Sequence, residues 1–97
     1  MTTPHTKSFT FHGVALDDED IASITRYVEH GIPPGSFLTA VLANDFMKAV
    51  GRADSRNIHR LATWAAYIYN EIPGSCHGSY EIVKEWIENK KQEGNQS

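Results

Sequence analysis

Paired cysteines, clustered positive charge and long apolar runs are all missing from this chain of 97 residues. The single cysteine, Cys76, excludes an intramolecular disulfide and a cluster of thiolate metal ligands within one chain. The formal net charge is -3 and the basic residues are dispersed, so binding to duplex nucleic acid is not expected. No apolar run approaches the roughly 18 residues of a membrane span, and the first residues lack the pattern of a secretion signal. These absences predict a cytoplasmic protein that has no membrane partner.

Metal and catalytic motifs are missing as well. The five histidines include no His-x-x-x-His pair, and no Cys-x-x-Cys or Gly-x-x-x-x-Gly-Lys-Ser/Thr spacing occurs, so neither metal nor cofactor is predicted. Cys76 and His77 are adjacent, which leaves an enzyme with a cysteine nucleophile as a third hypothesis. Neighbouring residues in a turn seldom aim both side chains at one centre, so we expect a surface thiol and no catalytic residues.

The composition, with 40% hydrophobic and 22% charged residues, is that of an ordinary globular protein. The length predicts one domain over residues 1–97, with flexible ends at 1–7 and 90–97. A core of this size gives modest stability, so a homo-oligomer is a reasonable expectation.

Alternating polar and apolar residues at 8–16, around a His-Gly pair, predict a short β-hairpin that must pack on helices. Four acidic residues at 17–20 then favour a helix start, because the helix dipole stabilises negative charge there. Gly31 ends this first helix. Its inward residues are Ile21, Ile24, Tyr27 and Val28.

The second helix is predicted to begin with a cap at Ser36 and to run to about Val50. Its apolar side chains fall in one arc: Phe37, Leu38, Val41, Leu42 and Ala49. Asp45 lies near the middle of that arc, beside Asn44, so a buried carboxylate is predicted that needs a partner. One explanation is a structural link to Arg52 or to backbone amides, and the other is a ligand contact or an oligomer-register device.

A third helix is predicted from Asp54 or Ser55, and a fourth from a cap at Ser79 after a loop at 72–79. The expected inward residues are Ile58, Leu61, Ala62, Ala65, Ile68 and Tyr69 on the third helix, and Tyr80, Val83, Trp86 and Ile87 on the fourth. The fold class is therefore mainly α, with about four helices in one compact domain and a short N-terminal β-hairpin.

Three large aromatic residues, Trp64, Tyr67 and Trp86, fall at the edges of these apolar stripes. Such rings either complete a core or anchor a partner. Tyr67 is predicted to point away from the main stripe of its helix, which would make it part of an exposed aromatic surface.

Two predicted helix starts share one pattern, a glycine and a serine directly before the helix: Gly35-Ser36 and, after His77, Gly78-Ser79. Backbone amides at such a start can bind phosphate or carboxylate, whereas ordinary turn formation and capping is the alternative.

The arginines Arg52, Arg56 and Arg60 offer a similar choice. They would either clamp a phosphate or lie on a solvated helix face, with Arg52 at the end of the second helix.

Residues 31–54, GIPPGSFLTAVLANDFMKAVGRAD, resemble small uncharacterised accessory proteins of tailed bacteriophages and prophages. The segments YNEIP at 69–73 and HGS at 77–79, together with Trp86, are similar too, and the likeness covers about residues 10–88. It implies a bacterial host cytoplasm and a small non-enzymatic protein that counters host defences.

The leading hypothesis is therefore stoichiometric binding, with a phosphorylated nucleotide signal sequestered at helix N-termini and supported by arginine. The candidate ligand-binding residues are Gly35, Ser36, Asn44, Asp45, Arg52, His77, Gly78 and Ser79. The alternative is a protein–protein inhibitor or adaptor that binds a host or phage protein through an exposed aromatic or apolar patch.

Overall fold

Helices occupy most of residues 9–95, the part of the chain that the computed structural model describes. Two short strands, β1 (Phe9–Phe11) and β2 (Val14–Leu16), precede them. The helices are α1 (Asp18–His30), α2 (Ser36–Leu42), α3 (Phe46–Arg52), α4 (Ser55–Ile58), α5 (Leu61–Glu71) and α6 (Tyr80–Asn95), with a 3-10 turn at Gly74–Cys76.

The predicted fold class is confirmed in its main lines, a helical domain that follows an N-terminal hairpin, but six helices replace the expected four within the described residues. The tail that was predicted to be flexible from Lys90 is helical as far as Asn95. The prediction for residues 1–7 lies outside the described residues.

The hairpin turns at the predicted His-Gly pair. His12 and Gly13 have φ values of 51° and 80°, the combination that a two-residue turn matched to the strand twist requires. The Thr63 hydroxyl of α5 donates a hydrogen bond to the Val14 carbonyl (3.0 Å), and Leu16 is fully buried. The hairpin therefore packs on α5, as a pair of strands this short requires.

α1 is fixed at both of its ends. The Asp17 and Asp20 side chains each accept a hydrogen bond from the other residue's backbone N–H, both at 3.0 Å, which forms a capping box. Gly31 ends the helix with φ 68°, and a Cβ there would lie 2.5 Å from the Lys90 Cβ of α6. Only glycine permits both this conformation and this close helix approach.

The predicted second helix is broken into α2 and α3. Asn44 has φ 63°, and the Asp45 side chain accepts a hydrogen bond from the Lys48 N–H (3.2 Å) and caps α3. The break was not predicted because the apolar residues before and after it keep the spacing of one continuous helix in the sequence. The predicted cap at Ser36 is wrong: Gly35 occupies the cap position without a side-chain hydrogen bond, and Ser36 is the first helical residue.

The predicted third helix is broken between α4 and α5, and the buried face of α5 is rotated from the predicted one. Tyr67 is 5% exposed, which confirms the prediction that such rings complete the core and shows that the other possibility, an exposed Tyr67, is wrong. Tyr69 was predicted to point inward, yet it is 80% exposed. The hairpin packs against the face that contains Thr63 and Tyr67, and burial of these larger side chains outweighs burial of the alanines.

The molecule is flat, with principal extents of 42 × 32 × 19 Å. An α-helix with its side chains is roughly 10 Å thick, so the short dimension holds about two layers. α1 packs against α6, and α2 lies against both α5 and α6. The central buried residues are Leu16, Ile21, Ile24, Tyr27, Leu38, Leu42, Trp64, Ile68 and Val83.

Candidate functional site

An open groove lies between α3 and α5, and we call it the α3–α5 groove. It has a volume of about 390 Å³ and a mainly apolar lining: Val41, Asn44, Asp45, Phe46, Ala49, Ile58, His59, Leu61, Ala62 and Ala65. Ala62 and Ala65 of α5 contribute only methyl groups, which leaves this face of α5 accessible. The site is thus a cavity of ligand-pocket size with few polar groups.

Large apolar side chains on the short helices beside this groove are exposed to solvent. On α3, Phe46 is 65% exposed, Met47 80% and Val50 38%, while Ala49 is the buried residue of that helix. Ile58 of α4 is 39% exposed, although it was predicted to point inward. Clustered exposure of this kind marks an interaction surface, whereas single exposed apolar residues are ordinary.

A second cavity continues the groove toward the start of α6, and we call it the α6-start cleft. It also measures about 390 Å³ and is lined by Val41, Leu42, Asn44, Ala65, Ile68, Tyr69, His77 and Gly78. Val41, Asn44 and Ala65 line both cavities, so the two are adjacent. The exposed Tyr69 ring stands at this end.

Asp45 is not the buried carboxylate that the helical spacing predicted. It is partly exposed, because the helix breaks there, and it accepts hydrogen bonds from the Tyr80 hydroxyl (2.7 Å) and the Lys48 amide. The Tyr80 hydrogen bond, with the Lys48 amide and the charge of Arg52, lowers the pKa of Asp45, and the same bond raises the pKa of Tyr80. Asp45 therefore caps α3 and fastens it to α6.

Gly78 and Ser79 have local structural roles at the α6 start. Gly78 has φ 135°, and its N–H donates to the Leu42 carbonyl at 2.7 Å. The Ser79 hydroxyl accepts a hydrogen bond from the Ile82 N–H (3.1 Å), so Ser79 caps α6 as predicted. These contacts fasten the start of α6 to the C-terminal end of α2.

The two glycine–serine helix starts do not form one site. Gly35 precedes α2, whereas Gly78 contacts Leu42 at the other end of α2, and seven helical residues span roughly 10 Å. Gly35 instead lines a cleft of about 350 Å³ with Arg56 and Arg60. Among the remaining predicted residues, Asn44, His77 and Gly78 line the α6-start cleft, Asp45 lines the α3–α5 groove, and Ser79 caps the helix that follows Gly78.

Arg52 is the last residue of α3 and is exposed. Its charge contributes to the lowered pKa of Asp45 after the Tyr80 and Lys48 hydrogen bonds, which places it within electrostatic range of this end of the molecule. No residue in the range 9–95 makes a hydrogen bond or an ion pair with its guanidinium.

Arg60 does not lie on a solvated helix face, and its guanidinium is bonded within the protein rather than free to clamp a phosphate, the two roles that the sequence predicted. Its side chain is 9% exposed and bonds to both carboxylate oxygens of Asp20 and to the Asn57 side chain (2.7 Å). Burial disfavours ionisation of Asp20, but the hydrogen bonds from Arg60 and Asp17 prevail and lower its pKa to about 2. The hydrogen bond from Arg60 to Asp20 also raises the pKa of Arg60. This pair joins α1 to the α4–α5 junction.

Arg56 is exposed, and its guanidinium donates to the Asp17 carboxylate at 2.7 Å. The run of acidic residues at 17–20 was explained by the helix dipole alone. The sequence did contain both partners of these ion pairs, the acidic run at 17–20 and the arginines at 56 and 60. No local spacing relates them, because they lie about 40 positions apart.

Cys76 is fully buried, so the prediction of a surface thiol is wrong. Burial raises the pKa of its thiol to about 11, and a protonated thiol is a poor nucleophile. Its carbonyl accepts a hydrogen bond from the Tyr27 hydroxyl (2.7 Å), which links the 3-10 turn to α1. Among residues 9–95, no group of three or more His, Cys, Asp or Glu side chains is placed to hold a metal ion.

Helix length and hydropathy show whether any helix could span a membrane. Within the described part of the chain, no helix is both long and apolar enough to cross a membrane. Comparisons with protein-family models, with curated proteins and with solved structures give no match, so the functional assignment rests on the geometry of the chain itself.

Proposed function

We propose that this protein acts by stoichiometric, non-enzymatic binding of a polypeptide, and that the α3–α5 groove is its binding surface. The observation that carries the proposal is an open, mainly apolar cavity lined by the exposed Phe46 and Ile58, with the exposed Met47 and Val50 on the same short helix as Phe46. Apolar side chains of a partner would be removed from water in this groove, which is the main favourable term in protein association.

The lining favours a polypeptide over a phosphorylated ligand. Asp45 contributes a carboxylate to it, and that carboxylate is held ionised by its hydrogen bonds to Tyr80 and Lys48. Arg60 is engaged with Asp20 elsewhere in the molecule. An anion in the groove would therefore meet a fixed negative charge among apolar side chains, which is unfavourable.

Site-specific photocrosslinking in bacterial cells tests this function. A benzophenone amino acid replaces Met47, the exposed neighbour of the groove-lining Phe46, or, as the matched control, the exposed Glu85 of α6. We expect protein adducts from position 47 and none from position 85. Equal adducts at the two positions, or no adduct at position 47, would contradict the proposal.

A second candidate function is sequestration of a phosphorylated nucleotide in the α6-start cleft. Asn44, His77 and Gly78 line that cleft beside the exposed Tyr69, whose ring offers a stacking surface for a base. For either function we propose a role in countering host defence in a bacterial host cytoplasm, which is the setting that the accessory-protein resemblance implies.

Thermal unfolding in the presence of mono-, di- and cyclic nucleotides tests the second candidate. A ligand at about 100 times its Kd adds roughly 2.7 kcal/mol to the free energy of unfolding. We expect Tyr69→Ala to reduce any resulting rise in melting temperature. No rise with any nucleotide would eliminate this candidate.

A further inference from the structure

Building on the polypeptide-binding function, we propose that the occupant of the α3–α5 groove is a second copy of this chain, so that the protein assembles as a twofold symmetric dimer through α3 and α5. Three properties of the surface support this pairing: its shape, its area and its charge.

The shape is suited to self-pairing. Phe46 and Met47 are exposed on α3, and Phe46 lines the open groove of about 390 Å³. In a twofold interface each copy offers the same patch to the other, so a patch must contain both a projection and a recess. Here α3 of each copy would enter the groove of its partner.

The exposed apolar area approaches the area that one side of a stable pair buries. The exposed portions of Phe46, Met47, Val50, Ile58 and Tyr69 amount to roughly 600 Å², taking about 150–250 Å² for each complete large side chain. That value reaches the upper end of the largest apolar patches on monomers, and standard interfaces bury about 800 Å² on each partner. An interface of that size would also bury part of the polar rim of the patch.

The charges around the patch allow two identical surfaces to meet. Lys48 and Arg52 on α3 are positive, whereas Asp45 and Asp54 at the starts of α3 and α4 are negative. A patch of one sign would repel its own copy, but a rim that carries both signs places opposite charges across a twofold axis. An occupant of strong single-sign charge has no complementary surface here.

The short helices also gain burial from such pairing. Ala49 is the buried residue of α3, and α4 has none. Helices this short are marginal without tertiary packing. A partner copy provides that packing on the side of α3 that faces away from α2.

Analytical ultracentrifugation of the full chain over a micromolar to millimolar series tests the inference. We expect a species of twice the 10.9 kDa chain mass. Ala65→Glu, which places a charge in the groove at an exposed helical position, should raise the dimer dissociation constant about tenfold or more, while circular dichroism stays unchanged. Ala22→Glu, at an exposed position of α1 outside the groove, should remain dimeric.

A wild-type chain that is monomeric at the highest concentration, or an Ala65→Glu variant that dimerises like wild type, would overturn the inference. The photocrosslink from position 47 separates this result from failure of the proposed function. If the adduct has a mass other than twice that of the chain, the protein binds a polypeptide but the occupant of the groove is not a second copy. A monomer that forms no adduct at position 47 would remove both proposals.

Discussion

α1 and α3 both begin with an aspartate cap, but they are held in the fold by different means. α1 buries Ile21, Ile24 and Tyr27 and is tied to α4 and α5 by ion pairs. α3 buries Ala49 and is positioned by the Asn44 turn and by the hydrogen bond between Asp45 and Tyr80. The exposed apolar residues of α3 therefore contribute little to the stability of the monomer, so they are available to a partner.

The largest expected difference between the two helices concerns their apolar side chains. Ile24→Ala should cost about 2–5 kcal/mol of unfolding free energy, because it leaves a cavity in a fully buried site. Met47→Ala should change it by less than about 0.5 kcal/mol, as expected at an exposed position. Urea unfolding in the Ala65→Glu background, where self-association does not contribute, measures both. Similar costs at the two positions would refute the distinction.

The ion pair that anchors α1 gives the next largest effect. Asp20→Asn should cost about 3 kcal/mol, because it leaves the buried Arg60 without its charged partner. Asp18→Asn, at an exposed position in the same first turn, is the matched control and should change stability by less than about 0.5 kcal/mol. A loss of the same size in both variants would show that the helix dipole, rather than Arg60, is the main partner of these acids.

The same pair sets an acid dependence. The pKa of Asp20 is about 2 in the folded chain against 3.8 for the free carboxyl, so its stabilisation is complete above about pH 4 and is lost as the pH falls toward 2. That contribution is on the order of 2 kcal/mol. Unfolding free energies measured between these pH values should fall less steeply for Asp20→Asn than for wild type. Parallel curves would contradict the assignment.

The turn before α3 gives a smaller effect. Asn44→Ala should cost about 1 kcal/mol, because a residue with a Cβ and no local polar side chain is strained at φ 63°. Asn44→Gly removes that strain and should stay within about 0.5 kcal/mol of wild type. Thermal unfolding of the two variants measures the difference, and an Asn44→Gly variant as unstable as Asn44→Ala would point to a side-chain role instead.

The smallest effect concerns the Tyr80 contact. Tyr80→Phe should return the pKa of Asp45 toward its ordinary value, because the Tyr80 hydroxyl is its main hydrogen-bond donor. Carbon-13 NMR titration of the aspartate carboxyls measures this shift, and the Asp20 carboxyl serves as an internal reference. An unchanged Asp45 titration would show that the Lys48 amide alone is sufficient.

Local sequence signals predicted the hairpin, both ends of α1 and the Ser79 cap, because each depends on a few neighbouring residues. The His-Gly turn and Gly31 need positive φ, and the Asp17–Asp20 reciprocal bonds span one turn. The two helix breaks were missed because periodicity measures spacing and not continuity. The Asn44-Asp45 pair was the available signal, since such residues favour turns and caps over helix interiors.

The site itself was predicted only in part. Asn44, His77 and Gly78 of the α6-start cleft were predicted, and so were Asn44 and Asp45 of the α3–α5 groove. The apolar remainder of that groove was not predicted, because it depends on which face of α5 the hairpin covers. The pairing of Arg60 with Asp20 was missed for a similar reason, since contacts across 40 positions follow from tertiary packing. Tyr69 shows the consequence: it shares helical spacing with Ala62 and Ala65, and all three are exposed because the hairpin covers a different face of α5.

The most direct test of the account is the photocrosslink from position 47 in a chain that also carries Ala65→Glu. If the α3–α5 groove is the binding surface, the adduct disappears while the unfolding free energy of the monomer and the circular dichroism spectrum stay at their wild-type values. An undiminished adduct from a fully folded Ala65→Glu chain would contradict the account, because a charge in the groove would then have no effect on what binds beside it.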